Sequence, residues 1–314
     1  MSAAADCKQR ALRVKTLVCI DGRERALKAV RLAAKLLCTD NDEATLLFVR
    51  RYRKDTRGYN IRRKATEVFS DWRKELPEMT YLHEAANLFE QVRDCYRSKV
   101  KAELSERVLI HLGEGVFEEG RVRRPASGAA RLKIREGHPP DEIRREAEEG
   151  HYALVILGAR STAGCYWYHV EHIPLEVARK VPRPVMVVAT GFEEGQPVLV
   201  CMGERPLPEA SLRLIQVIAT RMKSKIQVLA VGMTTEAAFE SSKKAASMVK
   251  EWRTHSLTVA SKILKGDPFE VIPQMALHFG LIVCPPGRKK KRQRLGRLTK
   301  KMVCSSQFNL LLVR

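Results

Sequence analysis

The sequence predicts an α/β protein made of two tandem doubly wound domains, each with an about five-stranded parallel sheet flanked by helices. Short apolar runs alternate with amphipathic stretches along the chain, which is the pattern of strands separated by crossover helices. The runs are apolar throughout rather than at every second residue, as expected of parallel strands covered on both faces. The whole order of segments occurs twice, and right-handed crossovers turn each copy into a doubly wound sheet.

The first copy reads β-α-β-α-β-α-β-α-β. A Gly-x-Pro turn, Gly137-His138-Pro139, stands before its third helix, and a basic helical stretch stands before its last strand. Apart from the second and fourth helices, its predicted segments are strand 17–20, helix 24–37, strand 44–49, strand 131–136, helix 141–149, strand 154–157 and strand 184–188.

The second copy repeats these segments, but the number of residues between equivalent positions is not constant along the chain. Leu199 is equivalent to Leu17 and Ile226 to Ala44, and the separation along the chain is the same for both strands. At the Gly-x-Pro turn, Gly266 is equivalent to Gly137, and this separation is much shorter. The first copy therefore carries an additional stretch between its second and third strands. The predicted segments of the second copy are strand 199–202, helix 209–222, strand 226–231, strand 261–264, helix 269–278, strand 281–284 and strand 310–313.

Domain boundaries follow from this repeat. We place the first domain at residues 1–192 and the second at 196–314, on either side of a linker rich in glycine and charge. The additional residues predict a helical insertion near 50–130, because 60–79 and 81–106 have helical apolar spacing, while 113–130 suits a loop or hairpin. A single large α/β domain is the alternative interpretation.

Charge is distributed unequally between the two copies. The chain has a net charge of +21. Residues 1–195 contain 36 basic and 29 acidic side chains, whereas residues 196–314 contain 21 basic and 7 acidic side chains. A surplus of this size favours polyanions or an acidic surface as partners.

Other features of the sequence narrow the class of protein. No apolar run reaches the roughly 20 residues that span a bilayer, and the first residues lack the pattern of a secretory signal, so we expect a cytoplasmic location. The eight cysteines show no CxxC and no metal-ligand spacing, and those in strands suit small apolar packing. The sequence has no P-loop, nucleophile elbow or zinc-protease motif. We therefore expect no catalytic residue and no metal site.

Three linked motifs of the first copy resemble the universal stress protein family. Asp21-Gly22 follows the first strand, Gly137-His138-Pro139 precedes the third helix, and Leu154-Val155-Ile156-Leu157-Gly158-Ala159-Arg160-Ser161 leads on to Pro182-Arg183-Pro184-Val185-Met186-Val187-Val188. The order of segments is similar to that of the family over nearly the whole chain, twice. The resemblance implies an adenine nucleotide alpha hydrolase-like fold and a role in the stress response.

Nucleotide-binding members of the family carry Gly-x2-Gly-x9-Gly-(Ser/Thr) after the fourth strand, where glycines let backbone N–H groups reach phosphates at a helix N-terminus. Here the motif reads Gly158-x2-Ser161-x9-Glu171-His172, so only its first glycine is kept. Glu171 places a carboxylate near the phosphate charge, which Arg160 and His172 would partly offset. The resemblance implies ATP or AMP as the ligand, with Asp21, Val49, Gly158, Arg160, Ser161 and His172 as the candidate contacts.

Two of these candidates also have ordinary structural interpretations. Asp21-x-x-Glu24 is close to a capping box, which stabilises a helix without any ligand. Gly158 suits a turn from strand to helix. Both interpretations stay open beside the nucleotide one.

The second copy departs further from the family. Gly203 stands where the first copy has Asp21, and Pro285-Pro286-Gly287-Arg288 replaces the family's Gly-Ser-Arg-Gly stretch, so we expect no nucleotide there. A basic segment, 288–301, follows, and its side chains suit salt-sensitive attraction to phosphates. The candidate anion-binding residues are Arg288, Lys289, Lys290, Lys291, Arg292 and Arg294.

Together these features predict a non-catalytic stress-response or regulatory binding protein, with any adenine nucleotide confined to the first domain. The alternative is a nucleotide-free interaction scaffold, whose basic second domain docks on an anionic protein or polyanion. In both cases we expect the two domains to form an intramolecular pseudo-dimer. The final strands are expected to be exposed, which would also favour a homodimer of two chains.

Overall fold

The structure, a computed structural model, describes residues 13–39, 41–51, 77–95, 107–113, 116–121, 130–159, 172–202, 207–232, 252, 257–285, 295–305 and 307–313. The N-terminal half comprises β1 (Lys15–Ile20), α1 (Glu24–Leu36), β2 (Glu43–Arg50), α2 (Pro77–Asp94), β3 (Arg107–Gly113), β4 (Val116–Arg121), β5 (Arg131–Glu136), α3 (Pro139–Glu149), β6 (Leu154–Gly158), α4 (Ile173–Lys180) and β7 (Val185–Val188). The C-terminal half comprises β8 (Val198–Cys201), α5 (Glu209–Arg221), β9 (Ile226–Gly232), β10 (Val259–Lys265), α6 (Pro268–Ala276), β11 (Leu281–Cys284), α7 (Arg297–Ser305) and β12 (Leu310–Leu312).

The described strands join in one twelve-stranded sheet, in the order β10-β9-β8-β11-β12-β7-β6-β1-β2-β5-β4-β3. Within each half the central five strands are parallel and have the same arrangement: the first strand lies between the second and the fourth. This is the doubly wound order that the repeated segments predict. The fold class expected from the sequence is therefore confirmed.

The two halves also agree in strand register. Thr16 is paired with Ala44 and with Leu154 in the N-terminal half. Val198, which holds the position equivalent to Thr16, is paired in the same way with Ile226 and Leu281. The repeat read from the sequence thus corresponds to the same ladder of backbone hydrogen bonds in both halves.

The Gly-x-Pro turns have one geometry in both halves. Gly137 and Gly266 share a φ of +154°, and each donates its backbone N–H to the last residue of the neighbouring strand, Arg50 or Gly232, at 2.8 and 3.1 Å. The following proline begins the helix, a position where its missing N–H costs nothing. Only glycine adopts this backbone conformation readily, which explains why both turns begin with it.

The halves meet through their final strands. β7 and β12 pair in antiparallel orientation, with Met186 opposite Leu311 at the centre of the pairing, and every residue of both strands is buried. The two halves are therefore joined edge to edge in one sheet. The expectation of exposed final strands is wrong, because each of these strands covers the edge of the other, and the argument for a homodimer that depended on their exposure is lost.

A buried amide reinforces this junction. Asn309 is 2% exposed, and its Oδ1 accepts hydrogen bonds from the backbone N–H groups of Ala189 and Thr190, at 2.9 and 3.0 Å. Its Nδ2 donates to the backbone carbonyl of Gly280 at 2.8 Å. The side chain therefore satisfies backbone groups from both halves, which would otherwise be buried without partners.

Apolar layers cover both faces of the sheet and run through both halves. One layer packs helices α1, α2 and α5 on one face, and the other packs α3, α4, α6 and α7 on the opposite face. Adjacent residues of a central strand, such as Leu17 and Val18, belong to opposite layers. This explains why the strands read as continuous apolar runs.

The interval near 50–130, predicted to be a helical insertion, contains strands as well. Its described helix, α2, packs on α1 and on β2, in the place of the crossover helix between β2 and β5. Strands β3 and β4 form an antiparallel hairpin that extends the sheet beyond β5. The helical spacing of apolar residues therefore predicted only part of this interval, because residues 107–113 and 116–121 form two additional strands of the sheet.

Candidate ligand site at the switch point

Three of the predicted nucleotide contacts lie at one edge of the sheet. β1 lies between β2 and β6 in the sheet. After β1 the chain passes through α1 to β2 on one side of β1, whereas β6 pairs with β1 on its opposite side. Such a topological switch point is where open α/β sheets bind ligands, outside the carboxyl ends of the strands. The register pairs Ile20, the last residue of β1, with Phe48 of β2, so Val49 comes level with Asp21. The predicted contacts that this edge brings together are Asp21, Val49 and Gly158.

Asp21 is exposed and begins the turn from β1 into α1. Its Oδ1 accepts a hydrogen bond from the backbone N–H of Arg23 at 3.1 Å, which makes an Asx turn. Helix α1 begins at Glu24 with Arg23 at its N-cap position, so the capping box expected from Asp21 is not formed. The carboxylate holds the turn and is exposed at the ligand edge.

Gly158 is explained by close packing at the same edge. A Cβ at this position would lie 2.7 Å from the backbone carbonyl carbon of Arg25 and 2.9 Å from the backbone nitrogen of Ala26. Both atoms belong to the first turn of α1, so no side-chain movement would relieve the overlap. The glycine therefore lets the N-terminus of α1 rest directly on the end of β6.

His172 is the N-cap residue of α4. Its Nδ1 accepts a hydrogen bond from the backbone N–H of Leu175 at 3.2 Å, and an accepting nitrogen carries no proton. The other two predicted contacts, Arg160 and Ser161, lie outside the described residues, as does Glu171.

The candidate anion-binding residues lie outside the described residues as well, namely Arg288, Lys289, Lys290, Lys291, Arg292 and Arg294. The end of the basic segment is described, because it forms the first turns of α7. Arg297, Lys300 and Lys301 are exposed there, and their spacing of three and four residues places them on one side of the helix.

An aromatic pair at the switch point was not predicted from the sequence. Tyr81 of α2 and Phe48 of β2 lie with ring centroids 6.1 Å apart and ring planes 12° apart. The ring of Tyr81 also lies against Gly22, the residue that follows Asp21. Phe48, near the end of β2, could have indicated an aromatic contact at this edge. Nothing in the spacing along the chain links Tyr81 to the turn at Gly22.

The equivalent edge of the C-terminal half has different chemistry. Pro285 stands where β6 ends in Gly158, and the buried Ala230 stands where β2 has Phe48. Cys201 and Cys284 end adjacent strands here, and both are buried. Burial raises the pKa of the Cys201 thiol well above its ordinary value and that of Cys284 to about 12. Protonated thiols at neutral pH are poor nucleophiles and poor metal ligands, so these cysteines act as small apolar side chains.

Two further findings concern only the part of the chain that the structure describes. It contains no group of three or more side chains able to hold a metal ion. None of its helices is long and apolar enough to cross a membrane.

Known proteins match the chain as follows. The model of the universal stress protein family matches residues 14–189. A universal stress protein from Archaeoglobus fulgidus DSM 4304 is similar in structure, with a TM-score of 0.60, 16% sequence identity and 96% of each chain covered. The cytoplasmic domain of a prokaryotic cation chloride cotransporter is similar with a TM-score of 0.51 and 10% identity, covering 96% of this chain and 95% of that one. No curated protein matches the chain in sequence. At these identities the two structural likenesses show a shared fold.

Proposed function

Because the chain belongs to the universal stress protein family, we propose that it is a cytoplasmic, non-catalytic binding protein of the stress response that takes ATP or AMP at the switch point of its N-terminal half. The observation that carries this proposal is the meeting of Asp21, Val49 and Gly158 at one exposed edge. Such an edge is the usual ligand position of the fold. The domain boundaries 1–192 and 196–314 belong to the same proposal.

The groups at this edge differ in what they offer a nucleotide. The Asp21 carboxylate accepts hydrogen bonds, so it suits the amino group of a base or a ribose hydroxyl. The end of β6 lies against the first turn of α1, and a helix N-terminus favours negative charge such as phosphate. Arg160 and Ser161 would add phosphate contacts after β6. Since the His172 ring caps α4, we assign it a supporting role there.

We confine the nucleotide to the N-terminal half. In the other half, Pro285 replaces Gly158 and has no N–H to offer a phosphate. Gly203 replaces Asp21, which removes the carboxylate. The proposed stoichiometry is therefore one nucleotide per chain.

The nucleotide proposal predicts a specific loss of affinity in Asp21→Ala. Calorimetric titration of the full chain with ATP, ADP and AMP is expected to give one site, and the variant should bind about tenfold or more weakly, because a hydrogen bond to a charged group is lost. Chromatography of the recovered ATP is expected to show it unhydrolysed.

A matched control separates ligand contact from turn stability. Asp267 makes the same kind of local bond as Asp21, since its Oδ1 accepts from the backbone N–H of Phe269 at 2.9 Å, but it lies in the C-terminal half. Asp267→Ala should leave the nucleotide affinity within about twofold of wild type, because this residue does not contact the proposed site. Wild-type protein that shows no saturable heat below millimolar ATP would overturn the nucleotide proposal.

The exposed basic side of α7 favours a second candidate function, an interaction scaffold for polyanions. Arg297, Lys300 and Lys301 continue the basic segment and are exposed, and residues 196–314 carry 21 basic against 7 acidic side chains. Such a surface would bind phosphates with strong dependence on salt.

Charge reversal tests this candidate. Replacing Lys289, Lys290 and Lys291 by glutamate is expected to lower the salt concentration that elutes the protein from immobilised heparin or RNA. The control makes the same change of net charge at Arg213, Lys223 and Lys225, which lie elsewhere in the C-terminal half. Equal shifts for the two triple variants would mean that net charge, rather than the basic segment, governs retention.

A further inference from the structure

Helix α2, in the place of the crossover helix between β2 and β5, brings Tyr81 to the switch point. Helix α2 is anchored by Leu82, Ala85 and Phe89, which are all buried. Tyr81 itself is 38% exposed. Tyr81 is therefore a partly exposed residue on a helix that its buried row holds in place.

The orientation of this ring is set by a glycine. A Cβ on Gly22 would lie 2.9 Å from Cδ2 and Cε2 of Tyr81 and 3.0 Å from Cε1. Three ring atoms at nearly equal distance mean that one face of the ring lies on the turn. Gly22 also has a φ of +73°, a conformation that glycine adopts without strain. Phe48 lies nearly parallel to the ring, and the two ring centroids are 6.1 Å apart.

We propose that the exposed part of the Tyr81 ring is the surface on which the base of an adenine nucleotide stacks. This inference rests on the proposed function and names the residue that would recognise the base. Stacking of a base on an aromatic side chain is a general mode of nucleotide recognition and requires little sequence or shape selection. The neighbouring Asp21 carboxylate accepts hydrogen bonds only, so it favours a base with an amino group, such as adenine, over hypoxanthine.

The same feature explains why the two halves differ in ligand capacity. Ala230 occupies the position of Phe48 in the C-terminal half and is buried. A methyl group offers no ring to orient a stacked partner. Among the described residues, the aromatic pair therefore belongs to the N-terminal half alone.

Comparison of ligands with and without a base tests the role of Tyr81. Full-length wild type, Tyr81→Phe and Tyr81→Leu are titrated with ATP, AMP, ITP and tripolyphosphate. Tyr81→Leu is expected to weaken ATP and AMP about tenfold, while Tyr81→Phe stays within twofold, because the ring rather than the hydroxyl makes the contact. Tripolyphosphate, which has no base, should bind all three proteins equally, and ITP should bind wild type more weakly than ATP does.

A second variant keeps the tyrosine but moves its ring. Gly22→Ala places a methyl group within overlap distance of the ring and also strains the turn at its φ of +73°, so it should weaken ATP at least as much as Tyr81→Leu does. If wild type binds ATP and Tyr81→Leu binds it equally well or more tightly, the stacking proposal is overturned, whatever Gly22→Ala does, while the proposed function stands. If wild type binds none of the four ligands, the proposed function itself fails.

Discussion

Glu146→Met is expected to lower the free energy of unfolding by about 3–5 kcal/mol, because it leaves the buried Arg135 guanidinium without its main partner. The same substitution combined with Arg135→Leu and Tyr152→Phe should recover most of that loss, to within about 1 kcal/mol of wild type, because the most deeply buried cation is removed together with its carboxylate partner. Urea unfolding of the single and triple variants measures both quantities. A triple variant as unstable as the single one would contradict this prediction.

The basis of the prediction is a buried ionic cluster between β5 and α3. The Glu146 carboxylate accepts hydrogen bonds from Arg135 Nε at 2.7 Å, from Lys133 Nζ at 3.0 Å and from the Tyr152 hydroxyl at 2.9 Å. Arg135 is 2% exposed and Glu146 is 1% exposed. Water therefore contributes little to either charge. Arg135 also pairs with Glu142 and Glu149, but Glu146 is the most buried of its carboxylate partners.

The C-terminal half shows that the fold accepts an apolar replacement. The shared register and turns place Leu264 at the position of Arg135, Met275 at that of Glu146 and Phe279 at that of Tyr152. All three pack against the apolar layer on that face. The triple variant copies a set of side chains that already works on the same backbone.

Acid provides an independent readout of the cluster. Burial alone would raise the pKa of Glu146, but the Lys133 and Arg135 cations hold this pKa below its ordinary value of 4.5. A carboxyl whose pKa is lowered on folding stabilises the protein above its ordinary pKa, and this contribution disappears as the pH falls through the folded value. Between pH 7 and pH 3, roughly the window of carboxyl titration, wild type should lose more stability than the triple variant.

Arg221→Leu is expected to cost about 3 kcal/mol, because it breaks a buried ion pair between the two halves. Arg221 Nη1 lies 3.1 Å from Oδ2 of Asp42, and both side chains are 2% exposed or less. Nη2 also donates to Oδ1 of Asp42 at 3.1 Å, and Nη1 donates to the backbone carbonyl of Leu36 at 2.6 Å. Chemical unfolding of the full chain measures the loss.

An exposed pair close by is the matched control. Lys223 Nζ lies 2.8 Å from Glu194, but the lysine side chain is 72% exposed. Lys223→Ala should change stability by less than about 0.5 kcal/mol, since water screens exposed pairs. Equal losses for the two variants would show that burial does not decide the contribution of these ion pairs.

The repeated sheet could be predicted from the sequence because its signal is long and redundant. The equivalences read along the chain reappear in the paired strands and in the Gly137 and Gly266 turns. Hairpin β3–β4 was predicted less well, since a loop or hairpin was expected at 113–130 but the first strand of the hairpin begins at Arg107. An edge hairpin has a short and partly polar pattern, and the strand 107–113 follows directly on a stretch with helical spacing. Local periodicity therefore did not distinguish the two.

The candidate site was predicted in part. Asp21 follows β1, and Val49 and Gly158 lie at the carboxyl ends of β2 and β6. Any doubly wound sheet places these strands side by side, so the proximity of the three residues follows from topology. The local roles of these residues do not. The contact between Gly158 and the backbone of α1 depends on how closely one helix approaches one strand. The contact of Tyr81 with Gly22 depends on where a distant helix docks. Neither the distance from Gly158 to α1 nor that from Tyr81 to Gly22 can be predicted from the number of residues between them in the sequence.

The pairing of β7 with β12 makes the union of the two halves a unimolecular event. Separate subunits part on dilution, whereas these partners keep a fixed local concentration at any protein concentration. The fusion also changes what mutation can do. In a symmetric dimer every substitution is made twice. In this chain, Pro285 stands in the C-terminal half at the position where the N-terminal half keeps Gly158. Because the two halves are covalently linked, the sequence of each half can change independently while the halves stay associated.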